Sequence, residues 1–134
     1  MKYYLDTCIW IDLLEDRKGF NGEPLGKLAW KLLSNISSKG ESIAISEEVI
    51  KELNTYLSKD EIIGIVNTFK PILIKSNENQ RIEAENIGRT LCLPTSDVLH
   101  TIIARDNNLI LVTRDNHFKK LENISKSYKP EELI

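Results

Sequence analysis

The chain has 134 residues, 41% of them hydrophobic, and a formal charge of -2, which suits one globular domain over residues 1–134 with a real core. That balance excludes a protein that holds nucleic acid by overall basic charge, and no apolar run approaches the ~20 residues of a membrane span. With no basic-then-apolar leader at the N-terminus, the chain reads as cytoplasmic, and Cys8 and Cys92, which lack metal-ligand spacing, read as small buried thiols.

Lys2-Tyr3-Tyr4-Leu5 is a short apolar run that reaches a lone Asp6, after which apolar residues at 9, 10, 13 and 14 take helical spacing. Asp6 therefore sits where a strand becomes a helix, at the edge where open α/β sheets bind ligands. Asp16 to Gly26, with Gly19, Gly22, Pro24 and Gly26, reads as a loop long enough for a mobile flap. Leu25, Leu28, Ala29, Leu32, Leu33 and Ile36 then mark a helix face closed by Gly40, and Ser42 to Ile45 a short strand. Ser46 caps a helix whose inward face carries Val49, Ile50, Leu53, Tyr56 and Leu57, with Glu47 and Glu48 in the favourable first turn. Glu52 lies closer to that inward face than either, so it needs a partner to stay charged.

Ser58-Lys59-Asp60-Glu61 is a capping box for a helix that turns Ile62, Ile63, Val66 and Phe69 inward. Pro71 leads into a strand, Ile72 to Lys75, and Asn77 with Gln80 caps a helix to Leu91 whose apolar side is Ile82, Ile87 and Leu91. After Pro94, Thr95-Ser96-Asp97 opens a helix with Val98, Leu99, Ile102 and Ile103 apolar and Asn107-Asn108 as its stop. Leu109 to Thr113 is a continuous apolar run, as in a parallel strand buried on both faces, and Arg114-Asp115 ends it. A helical turn with Phe118 and Leu121 and a last strand around Ile124 to Tyr128 complete the pattern, while Trp10, Phe20 and Trp30 suit a core or an interface equally. Strands alternating with helices give an α/β sandwich with a parallel sheet.

That architecture gathers acids. Asp6 and Asp115 each follow a parallel strand and so share the carboxyl edge. Eleven helical residues from Ser96 span ~16 Å and five strand residues from Leu109 span ~17 Å, so Asp97 lies level with Asp115. Glu52, a turn and a half into a helix leaving the same edge, can reach back. Taken singly, Asp97 is an ordinary first-turn acid and Asp6 and Asp115 are turn residues. Taken together they repel unless a cation is held among them, and all-oxygen ligation suits Mg²⁺ or Mn²⁺. Such a site activates water and neutralises charge on a phosphate. Charge is also uneven: Met1 to Asp16 carries a net -3, Arg114 to Lys129 a net +3.

Tyr4-Leu5-Asp6-Thr7, Ile45-Ser46 running to Lys51-Glu52-Leu53, Thr95-Ser96-Asp97 with Ile102-Ile103-Ala104, and Leu111-Val112-Thr113-Arg114-Asp115 with Phe118 occur in the order of a known family. The chain resembles a PIN-domain ribonuclease, more narrowly the VapC-type toxin of VapBC toxin-antitoxin pairs. The resemblance implies a three-layer fold with sheet order 3-2-1-4-5, and Mg²⁺- or Mn²⁺-dependent endoribonuclease activity. It makes Asp6, Glu52, Asp97 and Asp115 the catalytic metal ligands, with Thr7 and Thr113 in support. It further implies a homodimer and an antitoxin partner that binds over the active site. Cys8 stands where asparagine often follows the Asp-Thr pair. His117 stands where some relatives carry another acid, so a second metal would be held less firmly; as a lone histidine near a strand end it reads as structural. Arg114, Lys119 and Lys120 lie beside the acids and suit contact with RNA phosphates. Two other roles keep the fold: an RNA-processing nuclease without an antitoxin, and a binding module with little catalysis. Phosphotransfer domains fit less well, since the haloacid-dehalogenase type needs an acid where Cys8 stands and the receiver type needs paired acids after its first strand.

Overall fold

Tyr4, Leu5, Ala44, Leu111 and Val112 are almost completely buried and come from three neighbouring strands. In the computed structural model, which describes residues 1–134, the strands are β1 (Lys2–Leu5), β2 (Ser42–Ser46), β3 (Ile72–Ile74), β4 (Ile110–Val112) and β5 (Ser127–Tyr128). All neighbours pair in parallel, in the order β3-β2-β1-β4-β5. This is the expected sheet. Helices α1 (Thr7–Glu15), α2 (Leu25–Ser38), α3 (Glu47–Tyr56), α4 (Lys59–Phe69), α5 (Glu78–Leu91) and α6 (Thr95–Asp106) flank it, and a 3-10 helix, Asn116–Leu121, follows β4. None is long and apolar enough to cross a membrane.

Local chemistry explains where the helices start. The Ser46 side chain accepts from the Val49 amide, and Ser58 with Glu61 and Asn77 with Gln80 form reciprocal capping boxes, which fix the first turns of α3, α4 and α5. The register fixes the edge. Leu5 lies opposite Val112, and the Asp6 amide donates to the Val112 carbonyl at 2.9 Å, so Asp6 and Thr113 leave the sheet side by side.

Several inward faces differ from expectation. In α4 the buried stripe is Ile62 and Ile65 with Phe69 half-buried, a spacing of three and then four, while Ile63 (53%) and Val66 (41%) face solvent. Tyr56 points outward from α3, where Val49 and Leu53 fill the core. On α5 the inward residues are Gln80, Ala84 and Gly88, small enough at the last two positions for close packing against α6, and Ile82 and Leu91 are exposed. Cys92 is exposed because it forms the left-handed cap of α5, and Cys8 is only half-buried; both thiols are free. Trp10 is a core residue, whereas Phe20 is fully exposed and Trp30 half so.

The 16–26 loop is closed by its own backbone, the Gly26 amide donating to Arg17 and the Gly19 amide to Glu23. A Cβ on Gly26 would stand 2.7 Å from the Asp16 Cα and 2.8 Å from the Asp12 carbonyl oxygen, so only glycine lets α1 and α2 meet there.

Urea denaturation should separate the two kinds of apolar position. Leu111→Ala, in the centre of β4, is expected to cost about 2–5 kcal/mol, and Ile63→Lys to stay within about 0.5 kcal/mol. A large loss from Ile63→Lys would contradict the phase of α4.

Candidate functional site

Asp6 follows β1 and caps α1, and its side chain is 8% exposed. One oxygen accepts from the Thr7 amide at 2.8 Å and the other from the Thr113 hydroxyl at 2.9 Å, with the Cys8 thiol 3.5 Å away. Burial, and then the Asp6 charge, push the Cys8 thiol far above its usual range. Cys8 therefore stays protonated and unreactive. Thr113 also accepts from the Asp115 amide at 3.1 Å, tying the end of β4 to the turn that carries the next acid.

Glu52 reaches the same edge from α3. Its Oε2 accepts from the Thr7 hydroxyl at 3.1 Å, and its Oε1 lies 2.7 Å from Nε2 of His100. This is the partner that a half-buried glutamate requires. His100, on α6, is completely buried, with Nε2 also 3.9 Å from Asp6 and Nδ1 2.7 Å from the Tyr4 hydroxyl. Burial alone would raise the Glu52 carboxyl, but the bond and charge of His100 and the Thr7 hydroxyl bring it below its ordinary value. Burial likewise opposes charge on His100, yet Glu52 and Asp6 outweigh it and raise the imidazole. The sequence reading passed over His100. The available signal was its position three residues after Asp97, on the same face of α6.

Asp97 and Asp115 meet across His117, whose Nδ1 is 2.8 Å from Asp97 and 3.3 Å from Asp115. The two acids thus lie level as expected, although β4 is shorter than expected, three residues against twelve in α6, and Thr113 and Arg114 carry the chain on to Asp115. Burial raises the Asp97 carboxyl, the nearby charges of Asp115 and Asp6 raise it further, and the His117 bond offsets this only in part. His117, expected to be structural, stands between two of the acids. The four carboxylates form two adjoining groups, Asp6–Glu52–His100 and Asp97–Asp115–His117, each with ligand atoms within 4.8 Å of one another.

The PIN domain family matches residues 3–124. The chain belongs to the PIN domain family. No curated protein matches it closely enough to count as a relative. Among solved structures, a toxin-antitoxin complex from Klebsiella pneumoniae shares 20% identity over 96% of this chain and 97% of its own, with a TM-score of 0.66. VapBC2 from Rickettsia felis, bound to a DNA fragment from the promoter, shares 20% identity over 92% and 95%, with a TM-score of 0.67. VapBC-1 from nontypeable Haemophilus influenzae shares 17% over 98% and 99%, with a TM-score of 0.65. At these identities the likeness establishes the PIN fold.

The donor set fits a hard divalent cation. Carboxylate oxygens of four acids gather at one edge in two groups, and burial together with the charges of Asp115 and Asp6 raises Asp97, which is the electrostatic setting that such an ion relieves. Basic side chains flank the acids. A cavity of about 390 Å³ beside Asp115 is lined by Arg17 and Lys18, neither anticipated, and by Arg114. A groove of about 260 Å³ on the other side of Asp115 holds Lys119, Lys126 and Lys129, while Lys120 lines neither. Arg114 is not free: it pairs with Glu131 at 2.8 and 3.0 Å and approaches the buried Asp12 at 3.6 Å.

Because folding raises the Asp97 carboxyl, the folded state binds that proton more tightly than the unfolded chain, and stability falls as pH climbs through and above the ordinary carboxylate range. Metal-free Asp97→Asn should therefore melt above wild type at pH 7, by about 2–4 °C. The gap should close below pH ~4, where Asp97 is protonated in both states. Thermal melts in EDTA check this, and a variant melting at or below wild type at pH 7 would overturn the repulsion argument.

Proposed function

We propose that this PIN-domain protein is a metal-dependent endoribonuclease that hydrolyses RNA phosphodiester bonds, and that it acts in the cytoplasm as the toxin of a toxin-antitoxin pair. The observation that carries the reading is the convergence of Asp6, Glu52, Asp97 and Asp115 on one sheet edge, with the Asp97 carboxyl raised by burial and then by the charges of Asp115 and Asp6. These four side chains would hold Mg²⁺ or Mn²⁺. Such an ion, when bound, supplies an activated water and offsets charge on the scissile phosphate.

The chain's own residues divide the remaining work. Asp6 is fixed by the Thr7 amide and the Thr113 hydroxyl, and Glu52 by Thr7 and His100. Those bonds hold two carboxylates in one orientation before substrate arrives, which is the preorganisation that catalysis rewards. Asp97 and Asp115 form the more open side of the site, toward the groove with Lys119. Lys119 on one side and Arg17 and Lys18 on the other suit the phosphates of a single strand crossing the acids. The antitoxin and homodimer readings rest on the resemblance and on similar folds solved as toxin-antitoxin complexes. They are supported by exposed apolar surface: Leu14 and Trp30 border a groove with Leu13, Ile65 and Phe69, a kind of surface that protein partners cover.

The test is cleavage of a mixed RNA panel by purified protein with Mn²⁺, Mg²⁺ or EDTA, beside Asp97→Asn. Cutting that needs metal and falls at least about 100-fold in the variant is expected; equal cutting by both would place the activity elsewhere. Absence of metal binding by calorimetry would instead favour a binding module. In RNA binding measured across salt, Lys119→Ala is expected to lower affinity and flatten the slope by about 0.7. Lys120→Ala should do less, and equal effects would remove the groove from the substrate path.

A further inference from the structure

Glu52 is oriented from inside the protein. A continuous chain of hydrogen bonds runs from the start of α3 through the core to its carboxylate: the Ser46 and Tyr4 hydroxyls are 2.7 Å apart, Tyr4 is 2.7 Å from Nδ1 of His100, and Nε2 is 2.7 Å from Glu52. Ser46, Tyr4 and His100 are each 0% exposed. The Ser46 oxygen also accepts from the Val49 amide, so the chain is anchored in the backbone of the helix that carries Glu52. Four elements, β1, β2, α3 and α6, are tied together at one acid.

We propose that the Ser46–Tyr4–His100 chain is a positioning relay that fixes the Glu52 carboxylate for metal binding, and that His100 acts through Glu52 rather than as a ligand. Both ring nitrogens of His100 already have partners. In either protonation state Nε2 carries its proton and donates to Glu52, while the Tyr4 hydroxyl donates to a neutral ring or accepts from a cationic one. A nitrogen that keeps its proton has no lone pair to offer an ion. Groups that hold a ligating side chain in one orientation typically change metal affinity or activity roughly 10–100-fold when removed. The relay's metal-binding consequence rests on the nuclease reading above; its hydrogen bonding does not.

The experiment therefore has two arms. In the first, nitrogen NMR of metal-free wild type is expected to show a slowly exchanging Nε2 proton on His100, and Tyr4→Phe to make that proton exchange faster. An unprotonated Nε2, or no change in Tyr4→Phe, would overturn the relay. In the second arm, Mn²⁺ affinity is measured by calorimetry for wild type, Tyr4→Phe, His100→Ala and His100→Gln, with thermal melts confirming that each is folded. The expected order is a roughly 10–100-fold loss in His100→Ala, a smaller loss in Tyr4→Phe, and recovery in His100→Gln, whose amide can donate from the Nε2 position. Where RNA is cut, the loss should appear in kcat more than in KM. If His100→Gln is as poor as His100→Ala while Tyr4→Phe matches wild type, the ring is a ligand and the proposal fails. Equal affinity in all four with lower melting temperatures would make the chain purely structural. Wild type that binds no Mn²⁺ would sink the nuclease reading and the relay's metal-binding role together, and the NMR arm would still decide whether the hydrogen-bond chain exists.

Discussion

A carboxylate buried at the end of β1 is the constraint that the neighbouring side chains satisfy. Burying a charge is costly unless it is hydrogen-bonded, and Asp6 meets that cost with the first amide of α1 and the hydroxyl of Thr113, the residue after β4. Both donors are consequences of topology. The amide is available because helix starts leave amides unpaired, and the hydroxyl because Leu5 lies opposite Val112. A one-residue slip between β1 and β4 would turn Thr113 to the other face of the sheet, leaving one Asp6 oxygen without its hydroxyl. Register and site are thus a single specification.

The arrangement works against the stability of the fold that holds it. Asp97 is placed where burial and like charges disfavour its ionised form, and the His117 bond, with the charge of His100, relieves it only in part. Glu52, in contrast, is held below its ordinary value by His100. The site is therefore electrostatically unequal at these two acids: Glu52 is settled by its partners and Asp97 is not. Conflict between local preference and global structure is the mark of a functional site rather than of a packing error.

The fold was legible because its signals are local. Two capping boxes, the aspartates that follow β1 and β4, and the tight return from α6 into β4 each involve residues close in sequence, and each is realised. His100 was not, because its partners lie 96 and 48 residues away and a histidine among Val98, Leu99, Ile102 and Ile103 announces no function. The inward faces of α4 and α5 failed for a related reason: apolar residues spread over a wide arc leave the helix phase open, and packing chose Ile62 with Ile65 on α4 and Ala84 with Gly88 on α5. Cys92 went astray because its exposure follows from a left-handed helix cap, which composition does not reveal.

A net charge of -2 repels a polyanion at long range, but net charge is not what a strand at the surface would feel. At physiological salt, screening cuts off charges beyond about 8 Å, so the local order of side chains decides. Around Asp115 one cavity brings Arg17 and Lys18 beside it, and an adjoining groove brings Lys119, Lys126 and Lys129 together with Glu122 and Glu132. Arg114, the nearest cation in sequence, is the one least able to serve a phosphate, since Glu131 takes its guanidinium on both terminal nitrogens and its side chain is 16% exposed. Its task is structural, joining the end of β4 to α1 and to the C-terminal turn. Proximity in sequence favours Arg114 for phosphate contact; pairing and exposure favour the lysines.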